Sequence, residues 1–145
     1  MKINLKHGID QLVFGMKQND VIAIYGKPNR NYKDEDDNVI FSYNTLKMRL
    51  TFYKDEDFKL GYIIASSSEM ELFENKLIGK NISEVKSQLN TKGITKFTQE
   101  EFDTFENYFN EDNWIIFQTE FDEVVKFEIG AIINHKDEFD WKFKG

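Results

Sequence analysis

A chain of 145 residues can bury one substantial core, and a hydrophobic content of 40% with 15% aromatics excludes a disordered segment. The 19 basic and 26 acidic residues leave a formal charge of −7, which disfavours nucleic acid or an anionic membrane as partner and favours a basic protein. Zero cysteines exclude disulfides, thiolate catalysis and thiolate metal sites.

Met1 leads into Lys-Ile-Asn-Leu-Lys-His, which has no apolar core of a signal peptide, and no later stretch approaches the roughly 20 apolar residues of a membrane span. The expected location is cytoplasmic. Ile9, Val13 and Phe14 suggest a first helical turn, and Asn19 followed by Asp20 reads as the N-cap of a short helix that stops at Gly26, with Pro28 beyond. Strands follow at Val39 to Tyr43, Leu46 to Tyr53 and Phe58 to Ala65, separated by the acidic turns Asp34-Glu35-Asp36-Asp37 and Asp55-Glu56-Asp57. Ser66-Ser67-Ser68 marks a seam.

Beyond the seam the plan restarts. An offset of 64 positions carries Gly15 onto Gly79, Val21 onto Val85, Phe41 onto Phe105, Leu50 onto Trp114, Phe52 onto Ile116 and Leu60 onto Val124. Phe73, Leu77 and Ile78 therefore predict another helical turn, Ser83 another N-cap, and Gly93 another helix stop. The segment holding Phe102, Phe105 and Phe109 would suit a helix face as well, and the duplication assigns it to a strand; Trp114 to Thr119 and Val124 to Ile133 are strands joined near Asp122. Phe139-Trp141-Phe143 suggests a last edge strand. The expected fold is therefore α+β: one domain over 1–145 made of two tandem repeats, about 5–66 and 69–133, each a helix-loop-helix followed by an antiparallel sheet of about three strands, with a C-terminal extension.

Carrying the offset through the strands places Leu50, Phe52, Trp114 and Ile116 in the core, and Arg49, Thr51, Tyr53, Ile115 and Phe117 on the opposite face, together with Tyr62 and Ile64. Aromatics ringed by charge suit a protein interface, so Arg49, Tyr53, Tyr62, Ile115 and Phe117 are candidate partner-binding residues, with Asp34, Glu35, Asp36 and Asp37 steering a cationic partner. The alternative is that a loop or the C-terminal segment covers these aromatics.

Motifs for chemistry are weak. Asp34-x-Asp36-x-Asn38 opens like a calcium loop, but Val39 replaces its glycine and Thr45 its bidentate glutamate, so a solvated hairpin is expected rather than a metal site. His7 and His135 have no neighbour at ligand spacing, Gly-x-Ser-x-Gly is absent, and the glycines form no phosphate loop. No catalytic residue, cofactor or metal is predicted.

Gly15, Asp20, Val21, Gly26 and Pro28, matched by Gly79, Glu84 and Val85, resemble the helix-loop-helix plus sheet repeat of the β-lactamase inhibitor protein and the small outer-membrane assembly lipoproteins. The second copy lacks the proline turn. The resemblance implies an exposed sheet face that grips a protein target. Size, acidity and the lack of catalytic residues are also similar to those of bacterial toxin immunity proteins. The expected function is a cytoplasmic immunity-type inhibitor that binds a basic protein toxin such as a nuclease; the alternative is a non-catalytic structural or assembly module binding a neutral protein or itself.

Overall fold

The computed structural model describes all of residues 1–145. Its elements run β1 (Ile3–Asn4), β2 (Gly8–Ile9), β3 (Leu12–Val13), α1 (Gln18–Tyr25), β4 (Arg30–Lys33), β5 (Val39–Tyr43), β6 (Met48–Tyr53) and β7 (Lys59–Ala65). They continue with β8 (Glu71–Leu72), β9 (Asn75–Lys76), α2 (Ile82–Asn90), β10 (Thr98–Glu101), β11 (Glu106–Asn110), β12 (Ile115–Glu120) and β13 (Glu123–Gly130). The fold is mostly β: one eight-stranded antiparallel sheet and only two short helices, not the two helix-loop-helix plus three-strand repeats expected. The predicted helical turns around residues 9–14 and 73–78 are small hairpins, because Asp10, Phe73 and Glu74 turn the chain in left-handed conformations.

The sheet order is β10-β11-β12-β13-β7-β6-β5-β4, which reads as a four-stranded meander meeting a second one at β7 and β13. That junction is symmetric about the pair Ile64 and Glu128, with Phe127 opposite Ala65 and Ile129 opposite Ile63. The two halves repeat in their backbone bonds: Gly15 N–H donates to Leu60 O (2.9 Å) and Leu60 N–H to Met16 O (2.8 Å), while Gly79 N–H donates to Val124 O (2.8 Å) and Val124 N–H to Lys80 O (2.9 Å). The fourth strand of each meander escapes sequence patterning because Arg-Asn-Tyr-Lys and Thr-Gln-Glu-Glu are polar edge strands without alternation.

The N-caps, Lys17 and Asn81, lie two residues before the expected Asn19 and Ser83. Lys17 N–H donates to the Asp20 carboxylate (2.9 Å) at α1, and Asn81 Oδ1 accepts from Ser83 N–H (2.8 Å) at α2. Val21 and Val85 then drop into one cluster of 29 buried hydrophobic residues, which joins both helices and the small hairpins to the inner face of the sheet.

One register error in the sequence reading follows from loop length. The β6–β7 connection spans Lys54 to Phe58, whereas β12–β13 turns in two residues, Phe121 and Asp122. The offset is therefore 64 in the helices and in β7 and β13, but 67 in the two preceding strands, carrying Met48 onto Ile115, Leu50 onto Phe117 and Phe41 onto Tyr108. All six of these are buried. Since side chains alternate with a period of 2, an error of three residues inverts the face. Ile115 and Phe117 thus belong to the core, and Ile116 lies outside. Leu60 and Val124 also turn inward, because a bulge follows each of them.

Candidate functional site

The outer face of the sheet carries no helix, yet the chain itself occupies most of its aromatic surface. Tyr53 lies over Gly61, whose missing Cβ would sit 2.1 Å from the ring, and Phe139 packs on Tyr53 with centroids 5.7 Å apart. Trp141 stacks on Phe139 at 4.7 Å, and the Lys59 ammonium lies over the indole. The C-terminal segment is thus an irregular strap rather than the predicted edge strand. It is tied down where Phe143 N–H donates to Phe14 O (3.0 Å), and its Trp141 and Phe143 side chains rest on Gly15. Gly15 has φ +108°, so a side chain there would be strained and would press tightly on the strap, 3.3 Å from the Phe143 Cβ.

Tyr62 is also engaged. Its ring meets Trp114 edge-on at 5.5 Å over Gly130, Trp114 meets Phe109 at 4.9 Å, and its hydroxyl donates to Glu128. Burial, then the Glu128 carboxylate, hold the Tyr62 phenol well above its ordinary pKa, and burial pushes Tyr53 up to about 12. The open aromatic face expected from Tyr53, Tyr62, Ile115 and Phe117 therefore resolves into two covered tyrosines and two core residues. Arg49 is exposed on the outer face. Asp34 is a turn-forming residue: its carboxylate accepts from the N–H groups of Asp36 (2.9 Å) and Asn38 (3.0 Å) and from Asn38 Nδ2 (3.2 Å), whereas Glu35, Asp36 and Asp37 are exposed.

The exposed apolar surface lies elsewhere, at the end of the second meander. Phe121 is 100% exposed, and Phe102, 46% exposed, stacks on Phe105 with centroids 4.6 Å apart. Antiparallel pairing of Glu106 with Thr119 brings the β10–β11 and β12–β13 turns to the same end of the sheet. Phe121 and Asp122 have φ +50° and +66°, left-handed values that asparagine and glycine accept and phenylalanine resists. Glu101, Asp103, Glu120, Asp122 and Glu123 surround the tip and are all exposed. The acid-rich flanks hid this site, since a Phe-Asp dipeptide between strands reads only as a turn; two neighbouring phenylalanines in a polar stretch were the available signal.

The repeat relates this tip to the strapped end. Gly79, Glu120 and Glu123 correspond to Gly15, Tyr53 and Lys59, yet nothing lies within 4 Å of a Cβ placed on Gly79. One half is capped by an aromatic segment, and the equivalent place on the other half is bare.

No protein-family model and no curated protein matches the sequence. Among solved structures, the chain is similar to an extracellular protein containing an SCP domain from Bacillus anthracis str. Ames, with TM-score 0.50 and 13% identity, covering 79% of this chain and 42% of that one. It is also similar to a cysteine-rich secretory protein from Staphylococcus aureus subsp. aureus Mu50, with TM-score 0.48 and 16% identity, over 79% and 43% of the two chains. The chain spans less than half the length of either. The single eight-stranded sheet with two short helices, together with the fold shared with the Bacillus anthracis structure, overturns the expected kinship with the β-lactamase inhibitor and assembly-lipoprotein repeat and with immunity proteins. The cytoplasmic expectation also stands against the Bacillus anthracis neighbour, which is an extracellular protein.

Proposed function

We propose that the chain is a non-catalytic binding module whose second-half tip captures an extended, aromatic and basic segment of a protein partner. The observation that carries this reading is a fully exposed phenylalanine held in a left-handed turn. Folding gains nothing from Phe121, since it buries no surface, and its backbone conformation costs on the order of 1 kcal/mol. Phe102 and Phe105 widen the apolar contact, and the acidic ring supplies attraction for cations. The chain's own strap shows what such an end accommodates: alternating aromatic and charged residues, Phe139-Asp140-Trp141-Lys142-Phe143-Lys144, laid against a glycine. In the Bacillus anthracis protein the shared fold makes up 42% of the chain, which supports modular use within a larger extracellular protein.

The test is a chemical-shift titration of labelled protein with a synthetic peptide alternating phenylalanine and lysine. Shifts should concentrate at residues 79–81, 101–106 and 119–124, and vanish in Phe121→Ala, while a glutamate-for-lysine peptide leaves the spectrum unchanged. Equal binding by Phe121→Ala, or no binding by the native protein, would refute the reading.

A further inference from the structure

A concavity of about 330 Å³ opens on the outer face across β5, β6, β7 and β13, remote in character from the acidic tip. On the outer face it is lined by Ser42, Arg49, Ile64 and Lys126, and at the end of the strands by Asn44, Lys47 and Ser66, with the core residues Met48 and Ala65 beneath. Pairing explains the convergence. Ser42, Arg49 and Ile64 stand opposite one another on neighbouring strands, while Ser66 N–H donates to Lys47 O (3.1 Å) and Phe127 pairs with Ala65, bringing Lys126 beside Ser66.

Three cations here lack acidic partners, although the protein carries a net charge of −7. The ion pairs of the molecule join Lys17 to Asp57, Lys54 to Asp37, Lys76 to Glu69 and Lys142 to Asp140, and no carboxylate lines the concavity. The nearby Glu128 already accepts the Tyr62 hydroxyl. Three cations without acidic partners around one concavity give it a positive local field within an acidic chain, which favours an anion. Arg49 offers a planar donor fork, the lysines offer point charges, and the serines and Asn44 add neutral donors, a set suited to an anion with several terminal oxygens.

We propose that this concavity binds the phosphoryl group of a small phosphate monoester. A dianion with three terminal oxygens uses three cations better than a carboxylate does. The volume exceeds that of phosphate alone and lies at the lower end for small-ligand pockets, and Ile64 provides an apolar seat for a body the size of a sugar. The site is independent of the phenylalanine tip.

The experiment is a chemical-shift titration with ribose 5-phosphate, using ribose and gluconate as controls. Ribose 5-phosphate should shift the amides of residues 42–49, 64–66 and 126, ribose should not, and gluconate should bind several-fold more weakly. Arg49→Gln or Lys126→Gln should weaken binding about tenfold each, as expected for losing one charged hydrogen bond. Lys33→Gln on edge strand β4 removes the same charge elsewhere and should change nothing. Arg49 and Lys33 are exposed and the half-buried Lys126 is outside the core cluster, so these variants keep the core, and thermal unfolding verifies that. Equal weakening by Lys33→Gln, unchanged binding in Arg49→Gln, or no localised shifts would overturn the site; gluconate binding as tightly would overturn the phosphoryl assignment.

Discussion

Replacing Gly61 by alanine should destabilise the protein only while Tyr53 is present. An added Cβ would lie 2.1 and 2.3 Å from two ring carbons of Tyr53, far inside van der Waals contact, and Phe139 restricts the ring from its other side. Relief requires moving the ring and the strap together, which places the cost in the range for overpacking, about 1–3 kcal/mol. For a domain of this size a loss of about 2 kcal/mol lowers the unfolding midpoint by roughly 4–8 °C. Gly61 does not use a left-handed φ, so in a Tyr53→Ala background the same substitution should become neutral or stabilising by about 0.5 kcal/mol through the unfolded state. The assay is urea unfolding of the four proteins in a double-mutant cycle, with an expected coupling of about 1–3 kcal/mol. Equal destabilisation by Gly61→Ala in both backgrounds would show that the ring does not occupy that space, and the covered outer face would have to be redrawn.

Phe117→Ala should cost about 3–5 kcal/mol, as for a buried phenylalanine, and chemical denaturation will distinguish this from the near-zero cost of an exposed anchor. Asn81→Ala should lose about 1 kcal/mol with the cap of α2, read by the same method. Converting Phe121-Asp122 to Asn-Gly supplies residues suited to both left-handed positions, so the thermal midpoint should rise while titration with the phenylalanine-lysine peptide shows binding lost. The Tyr53 pKa is raised to about 12 by burial, so its neutral form is favoured on folding. That stability is fully present below the unfolded value near 10 and is lost as pH rises toward 12. Tyr53→Phe should therefore unfold at higher pH than the native protein in an alkaline titration followed by circular dichroism.

The positions of α1 and α2, though not the further helical turns expected before them, the strands bearing alternating apolar residues and the equivalence of Gly15 with Gly79 were legible because they depend on local spacing. The equivalence of Leu50 with Phe117 was not, since it depends on the unequal loops after β6 and β12, and an ungapped offset turns Ile115 and Phe117 outward. Short hairpins such as Leu72 to Asn75 carry an apolar spacing that also suits a helix, and only their left-handed turn residues separate the two. Tyr53 illustrates a further limit: alternation placed it on the outer face, but its cover comes from Phe139, and no local pattern foretells where a terminal segment will lie. Arg49 was singled out for an aromatic interface, whereas its neighbours in space are Ser42 and Ile64, which pairing supplies and sequence order does not.

The meeting of the two meanders at β7 and β13 also sets an order of assembly. Each meander closes through contacts between chain neighbours and loses little loop entropy, whereas the β7–β13 junction joins residues such as Ile63 and Ile129, which lie far apart in the chain. The first meander can form while the second is still emerging during synthesis, with β7 temporarily an open apolar edge that β13 alone will cover. The strap follows β13 in the chain and closes last, so the surface of Tyr53 and Gly61 is bare throughout that interval. Pulsed hydrogen exchange during refolding should find amides of β5 and β6 protected before those of the β7–β13 junction, and the Phe143 amide after both. Early protection at Phe143 would rule out this order.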